Sequence, residues 1–268
     1  MRMPSFFISH GAPDLAVRPT PAHLALKALA RLVPKPKAIL IASAHWPTES
    51  PAVATGSAPA TIYDFGGFDP RLRTMRYRAP GAPEVSRKAA ELMRRAGFEV
   101  SEDEERGYDH GVWTPLVLLY PEADVPVAQV SIQPHRDPAH HLAIGRALSP
   151  LREEGVMIIG SGAMTHNLRA YFTGPASGPP PAWVTEFTGW MKGRLEANDA
   201  SALVGYRAGA PHAQMNHPED EHLLPIFIPL GATLPGEPVR QIHASYDKGV
   251  LAMDIYAFGE GVEALKAA

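Results

Sequence analysis

His10 and His45 share one local pattern. Ser5-Phe6-Phe7-Ile8-Ser9-His10 and Ala38-Ile39-Leu40-Ile41-Ala42-Ser43-Ala44-His45 are each a short apolar run, then small residues, then a histidine. Apolar runs of this length suit strands covered on both faces. In open α/β sheets, ligands bind beyond the carboxyl ends of the strands. The pattern therefore predicts two imidazoles delivered to one sheet edge. A lone histidine at a strand end is ordinarily just hydrogen-bonded, but two in the same context favour a pair of metal ligands. The chain has no cysteine, so a transition-metal site must use imidazole and carboxylate, and imidazole suits zinc and iron alike.

Asp220-Glu221-His222-Leu223-Leu224-Pro225 offers a third ligand. A helix opening here would hold Glu221 and His222 in its first turn, where a carboxylate also suits the helix dipole. Two histidines with Glu221 would form the facial triad of non-haem iron oxygenases. With His222 the set becomes three imidazoles and open positions, as a catalytic metal requires. Residue types alone leave both eligible. His166 follows Gly160-Ser161-Gly162, which reads as a turn permitting close backbone approach. Its unperturbed pKa lies near neutrality, which suits a general acid or base. His110 offers the same chemistry, and Asp109 beside it could orient the ring. The Gly-Ser-Gly segment lacks the spacing of phosphate and dinucleotide loops. Tyr63 and Phe65 could stack on an aromatic ligand. Asn167 and Arg169 could meet an anionic group, and His243 ends a strand as a further pocket candidate. His135, His140 and His141 read as structural, and His212 and His217 as flanking the third-ligand segment.

The elements that must position these residues alternate. Helices are predicted over 21–32, 84–96, 114–120, 138–152 and 183–196, with prolines at starts and Gly97 as a stop. Strands are predicted over 5–10, 38–44, 98–100, 125–132 and 156–159, closed by a pair at 239–243 and 250–258. Residues 62–70 form a long irregular stretch and 177–181 a proline-rich loop. The alternation predicts one α/β domain over 1–268. Its central sheet would be mixed or mostly parallel and flanked by helices, with the metal in a cleft at the strand carboxyl ends.

The 268 residues are 45% hydrophobic and 20% charged, an ordinary globular composition. A formal charge of −3 argues against a nucleic-acid partner. No run reaches membrane-spanning length. Met1-Arg2-Met3-Pro4 leads straight into the first strand without the apolar segment of a signal peptide. The expectation is a cytoplasmic protein with no membrane partner, and a homo-oligomer is left open.

Six segments occur in order: Ser9-His10-Gly11-Ala12-Pro13, Ser43-Ala44-His45-Trp46, Tyr63-Asp64-Phe65-Gly66-Gly67-Phe68, Tyr108-Asp109-His110-Gly111-Val112-Trp113, Gly160-Ser161-Gly162 with Thr165-His166-Asn167-Leu168-Arg169, and Glu221-His222-Leu223-Leu224-Pro225. Together they resemble the class III extradiol ring-cleavage dioxygenases, in the branch of DOPA 4,5-dioxygenase-like proteins, from residue 4 to about 258. The resemblance implies one α/β domain with a mononuclear metal, His10, His45 and His222 as ligands, and His110 and His166 as the acid/base pair. The wider class uses two histidines and a glutamate; this branch places histidine third, with Glu221 beside it. The implied reaction is extradiol (meta) cleavage of a small aromatic diol, a catechol, by O2 to a muconic semialdehyde, with one Fe(II) per chain. Three imidazoles accept Zn(II) as readily. Zinc has no redox chemistry, so a native zinc protein would instead be a hydrolase or amidase with metal hydroxide as nucleophile. A metal-binding protein without catalysis is a third alternative, disfavoured because storage needs neither His110 nor His166.

Overall fold

The computed structural model describes residues 2–175 and 177–265; Met1 and the last three positions of the 1–268 span lie outside the described residues. The strands are β1 (Ser5–Ser9), β2 (Ala38–Pro47), β3 (Ala52–Ala54), β4 (Ser101–Asp103), β5 (Val127–Ile132), β6 (Val156–Gly162), β7 (Val239–His243), β8 (Tyr246–Asp247), β9 (Leu251–Ala252) and β10 (Ile255–Phe258). The longer helices up to residue 196 are α1 (Pro21–Leu32), α2 (Pro83–Arg95), α3 (His110–Leu119), α4 (Pro138–Leu148), α5 (Leu168–Thr173) and α6 (Ala182–Glu196). Eight strands form one sheet in the order β4-β3-β5-β2-β6-β1-β10-β7, while β8 and β9 make a separate hairpin. The four central strands β5, β2, β6 and β1 run parallel. β10 and β7 close one side antiparallel.

β2 lies inside this parallel group and is covered on both faces. Ile39 and Ile41 join a core with Leu26 of α1 and Trp113 of α3. Leu40 and Ala42 point the other way, into a core with Met93 of α2 and Ile144 of α4. This two-residue alternation explains the unbroken apolar run, because neither face meets water.

Several elements differ from the sequence expectation, and the differences shape the site. β2 does not stop at His45 but continues to Pro47. Its register with β5 jumps between Ala42, opposite Val130, and Pro47, opposite Ile132. The extra residues bow out of the ladder, as in a bulge, and re-aim the side chains they carry. Gly160-Ser161-Gly162 is not a turn but the end of β6, paired with β1 and β2. Its glycines serve close packing: an added Cβ would lie 2.1 Å from the Pro225 carbonyl oxygen at Gly160, and 2.1 Å from the His222 carbonyl oxygen at Gly162. α3 opens at His110 rather than at 114, because Val112 and Trp113 already donate their N–H groups to the Asp109 carbonyl. Phe98 lies in the turn that closes α2, its N–H bonded to the Met93 carbonyl, so β4 begins later than predicted, at Ser101. The helix predicted over 138–152 tightens into a 3-10 turn at Ser149, where Pro150 follows.

Candidate active site

Three imidazoles meet at one point. His10 follows β1 and is anchored by its backbone N–H, which donates to Gly162 at 2.9 Å. His45 rides on the bowed end of β2. His222 sits in a turn whose carbonyl accepts the Ala163 N–H at 2.8 Å. The Nε2 atoms of His10 and His222 lie 3.1 and 3.3 Å from His45 Nε2.

The proton positions follow from the partners. Ser161 Oγ donates its single proton to the Gly111 carbonyl at 2.5 Å. Toward His10 Nδ1, 3.0 Å away, it can only accept, so His10 carries its proton on Nδ1. Glu221 Oε1, 2.9 Å from His222 Nδ1, imposes the same tautomer there. Two bare Nε2 lone pairs thus face a third ring nitrogen that has at most one proton to share. A cation resolves that crowding. Metal–nitrogen bonds of about 2.1 Å set neighbouring nitrogens about 3.0 Å apart at a right angle and about 3.4 Å apart at a tetrahedral angle. The donor set fits a divalent transition metal, with Ser161 and Glu221 orienting the rings from behind.

Two more histidines flank this cluster. The His110 ring centroid is 4.0 Å from that of His45. Its Nδ1 donates to Asp64 Oδ1 at 2.9 Å, which leaves Nε2 as the free acceptor. The His166 ring stacks on His222, centroids 3.4 Å apart and planes at 13°, and its Nδ1 lies 3.7 Å from Glu221. Burial pushes the His45 imidazole down to about 4, reinforced by His110. Burial alone is the main force bringing His166 to about 4. His10 and His222 are driven well below the usual range by burial and by each other's neighbours. All four are neutral at pH 7, the form that binds metal. Burial raises the Asp64 carboxyl, but the hydrogen bonds it accepts from the His110 ring and backbone and its electrostatic attraction to the neighbouring imidazoles outweigh that and bring it down to about 2.

The histidines floor a cleft of about 220 Å³ whose walls include Phe65, Phe68, Leu168, Tyr171, Phe172 and Met253. No aspartate, glutamate, lysine or arginine lines it among the described residues. Phe65 is where the sequence suggested, with its ring 5.8 Å from that of His110. Tyr63 is not: its hydroxyl donates to the Met75 carbonyl at 2.5 Å and its ring packs on Trp113, so it holds the loop rather than facing the cleft. Asn167 caps α5, accepting the Ala170 N–H at 2.9 Å and donating to the Met215 carbonyl at 2.6 Å. Arg169 is exposed and borders a side cavity with His166 and Glu219. His243 lies away from the cleft, in an apolar hollow against Leu29 and Leu32 of α1, with Nε2 2.8 Å from Ser245 Oγ. It ends β7, which runs parallel to β1 with β10 between them, so it reaches the same sheet edge as His10 but on the outermost strand, two strands away.

Asp64 carries the role the sequence suggested for Asp109. Asp109 instead accepts from Ser43 at 2.6 Å and pairs with Arg106 at 2.5 Å. Nothing local could pair Asp64 with a ring 46 residues away. Ser161, Tyr171 and Met253 also escaped notice, because burial against the site is visible only in three dimensions. His140 and His141 are structural as expected, bonded to the Gln133 side chain and backbone. His217 is buried against the Met164 carbonyl, and His212 pairs with Glu186.

The model of the family described as "Catalytic LigB subunit of aromatic ring-opening dioxygenase" matches residues 22–258. A Beta vulgaris protein named 4,5-DOPA dioxygenase extradiol is 40% identical over 95% of this chain and 96% of its own. An Escherichia coli protein of the same name is 36% identical over 94% of this chain and 93% of its own. The crystal structure of an uncharacterized Escherichia coli K12 protein superposes with a TM-score of 0.80 at 32% identity, covering 96% of this chain and all of that one. The chain therefore belongs to the LigB family of aromatic ring-opening dioxygenases, metal-dependent oxidoreductases whose relatives here are named for extradiol cleavage.

Proposed function

We propose that residues 1–268 act as one catalytic domain, an Fe(II)-dependent extradiol dioxygenase that opens a catechol with O2 to a muconic semialdehyde. The observation that carries this is the meeting of three Nε2 atoms, two of them bare by tautomer, on the floor of an apolar aromatic cleft. His10, His45 and His222 would hold the ion, and relatives named for DOPA, itself a catechol, support that ring class. When bound, the ion supplies Lewis acidity toward the catechol oxygens, and iron adds a redox centre for O2.

The chain's own residues supply the rest. His110, with its Nδ1 proton committed to Asp64, takes the catechol proton at Nε2, and Asp64 steadies the resulting imidazolium. His166, neutral and stacked on His222, is the second proton carrier at the cleft. Phe65, Phe68, Leu168 and Phe172 exclude water and hold the ring flat against the histidines.

Three imidazoles are also a zinc set, so a zinc-dependent hydrolase or amidase on this scaffold is the second reading. Anaerobic Fe(II) loading, then O2 and a panel of catechols, separates the two. A yellow ring-opened product with matching oxygen uptake, absent with zinc, is the expected result. Turnover with zinc and no oxygen uptake would establish the hydrolase instead.

A further inference from the structure

We infer that Leu168 and Phe172 of α5 select the substituent on the ring, and that the favoured substituent is uncharged and apolar. The inference rests on the ring-cleavage reading above and narrows its substrate class to catechols with a hydrocarbon tail.

α5 begins directly after Asn167, the neighbour of His166, and is held at both ends. Asn167 caps its start, as described above. Near its end Tyr171 is buried, and its hydroxyl donates to Asp247 Oδ2 in the β8–β9 hairpin at 2.8 Å. Leu168 and Phe172, four residues apart, share a face of this anchored helix, and both line the cleft. They are nevertheless 46% and 67% exposed. The Phe172 ring meets that of Tyr171 edge-on, centroids 5.3 Å apart, which leaves most of it in water. Large apolar side chains scattered singly over a surface need no explanation. These two sit together at the cleft that holds the histidines, with Phe65 and Phe68 lining it as well and also part-exposed.

An alkyl tail leaving the ring toward α5 takes water off itself and off these side chains, and the gain grows with each carbon. A charged tail finds no such partner. The polar side chains lining the cleft are the histidines of its floor and Tyr171, whose hydroxyl is committed to Asp247. A neighbouring cavity shares Ala12 and Met253 with the cleft and is lined by Asp14, Arg18 and Asp247. Those charges answer one another: Arg18 Nη1 donates to Asp14 Oδ2 at 3.0 Å and lies 3.8 Å from Asp247 Oδ2. In the side cavity by His166, Arg169 is accompanied by Glu219 and Glu221, so an anion there would meet two carboxylates. A charged tail that reaches bulk solvent instead keeps its own water but leaves the α5 face wet.

The test is equilibrium binding to the Zn²⁺-loaded chain, which has no redox chemistry with O2. One series is catechol with its methyl, ethyl and propyl derivatives, each substituted para to a hydroxyl. The other is dopamine, whose tail matches propyl in length, with dihydrocaffeate and DOPA. Affinity should rise about three- to fourfold with each added carbon of the alkyl series. All three charged ligands should bind more weakly than propylcatechol, by about tenfold or more. Phe172→Ala should shrink the propylcatechol-to-catechol affinity ratio by about threefold or more. Phe172→Arg, at a position exposed enough to take a cation, should raise dihydrocaffeate relative to propylcatechol. A flat alkyl series, or a charged ligand that binds as tightly as propylcatechol, overturns the inference while leaving ring cleavage standing. So does an unchanged propylcatechol-to-catechol ratio in both variants. Failure of the loaded wild-type chain to bind any catechol overturns the ring-cleavage reading itself, and this inference with it.

Discussion

Asp64 Oδ1 receives two hydrogen bonds from His110, one from ring Nδ1 at 2.9 Å and one from the backbone N–H at 3.1 Å. One oxygen thus fixes both the start of α3 and the tautomer of the side chain that α3 carries. Asp64→Asn keeps a similar shape but removes the charge and offers a donor where the ring needs an acceptor. Turnover of the iron-loaded enzyme should fall on the order of a hundredfold, as when an orienting carboxylate is lost from a histidine base. Metal content should not change. Steady-state kinetics paired with elemental analysis checks both, and undiminished turnover would remove Asp64 from the mechanism.

His45 and His166 should separate cleanly. His45 Nε2 is the atom that both His10 and His222 approach, so His45→Ala leaves two ligands and a weak site. Purified without chelator, that variant should carry little metal, and added metal should no longer raise its melting temperature by mass action. His166→Ala should keep the metal and lose turnover by ~10²–10⁴-fold, the usual range for a lost acid or base. Near-stoichiometric metal in the first variant, or full activity in the second, would reassign the roles.

Gly162 tests how the third imidazole is placed. An added Cβ would meet the His222 carbonyl oxygen at 2.1 Å, a backbone atom that cannot swing aside. That carbonyl also holds the Ala163 N–H. Gly162→Ala should push the 220–225 segment off β6, costing about 1–3 kcal/mol of stability and weakening metal affinity. Urea unfolding and a metal competition titration read the two effects, and unaltered affinity would mean that His222 is placed by other contacts.

Asp254 gives the fold a pH dependence of its own, through a carboxyl that is not among the candidate ligands. Burial raises its carboxyl to about 7 from the ordinary 3.8, with Gln241 Nε2 as its hydrogen-bond donor and Lys192 opposing the shift. Between these two values the folded chain holds a proton that the unfolded chain has released. Stability therefore declines as pH rises from about 4 to about 7 and levels above that, by up to about 4 kcal/mol. Asp254→Asn removes the decline and should be the more stable form at pH 8. Denaturation midpoints across that range, for both forms, measure it; parallel curves would show that Asp254 is ionised in the folded chain.

The sequence by itself determined the α/β class, the helix over 21–32 to the residue, and the central buried strands. Those are local matters: an apolar run covered on both faces, a proline at a helix start, a glycine at its end. It also singled out His10 and His45 by their strand-end position, and His110, His166 and His222 by residue type and the six ordered motifs. Which of Glu221 and His222 faces the other two imidazoles was decided only by the packing of the 220–225 turn on Gly160 and Gly162, which aims the ring at His45 and the carboxylate at its rear nitrogen. The pairing of His110 with Asp64 rather than Asp109, and the place of His243 in a hollow apart from the cleft, likewise come from tertiary structure. Each depends on which distant side chains share one volume, and a linear pattern carries no record of that.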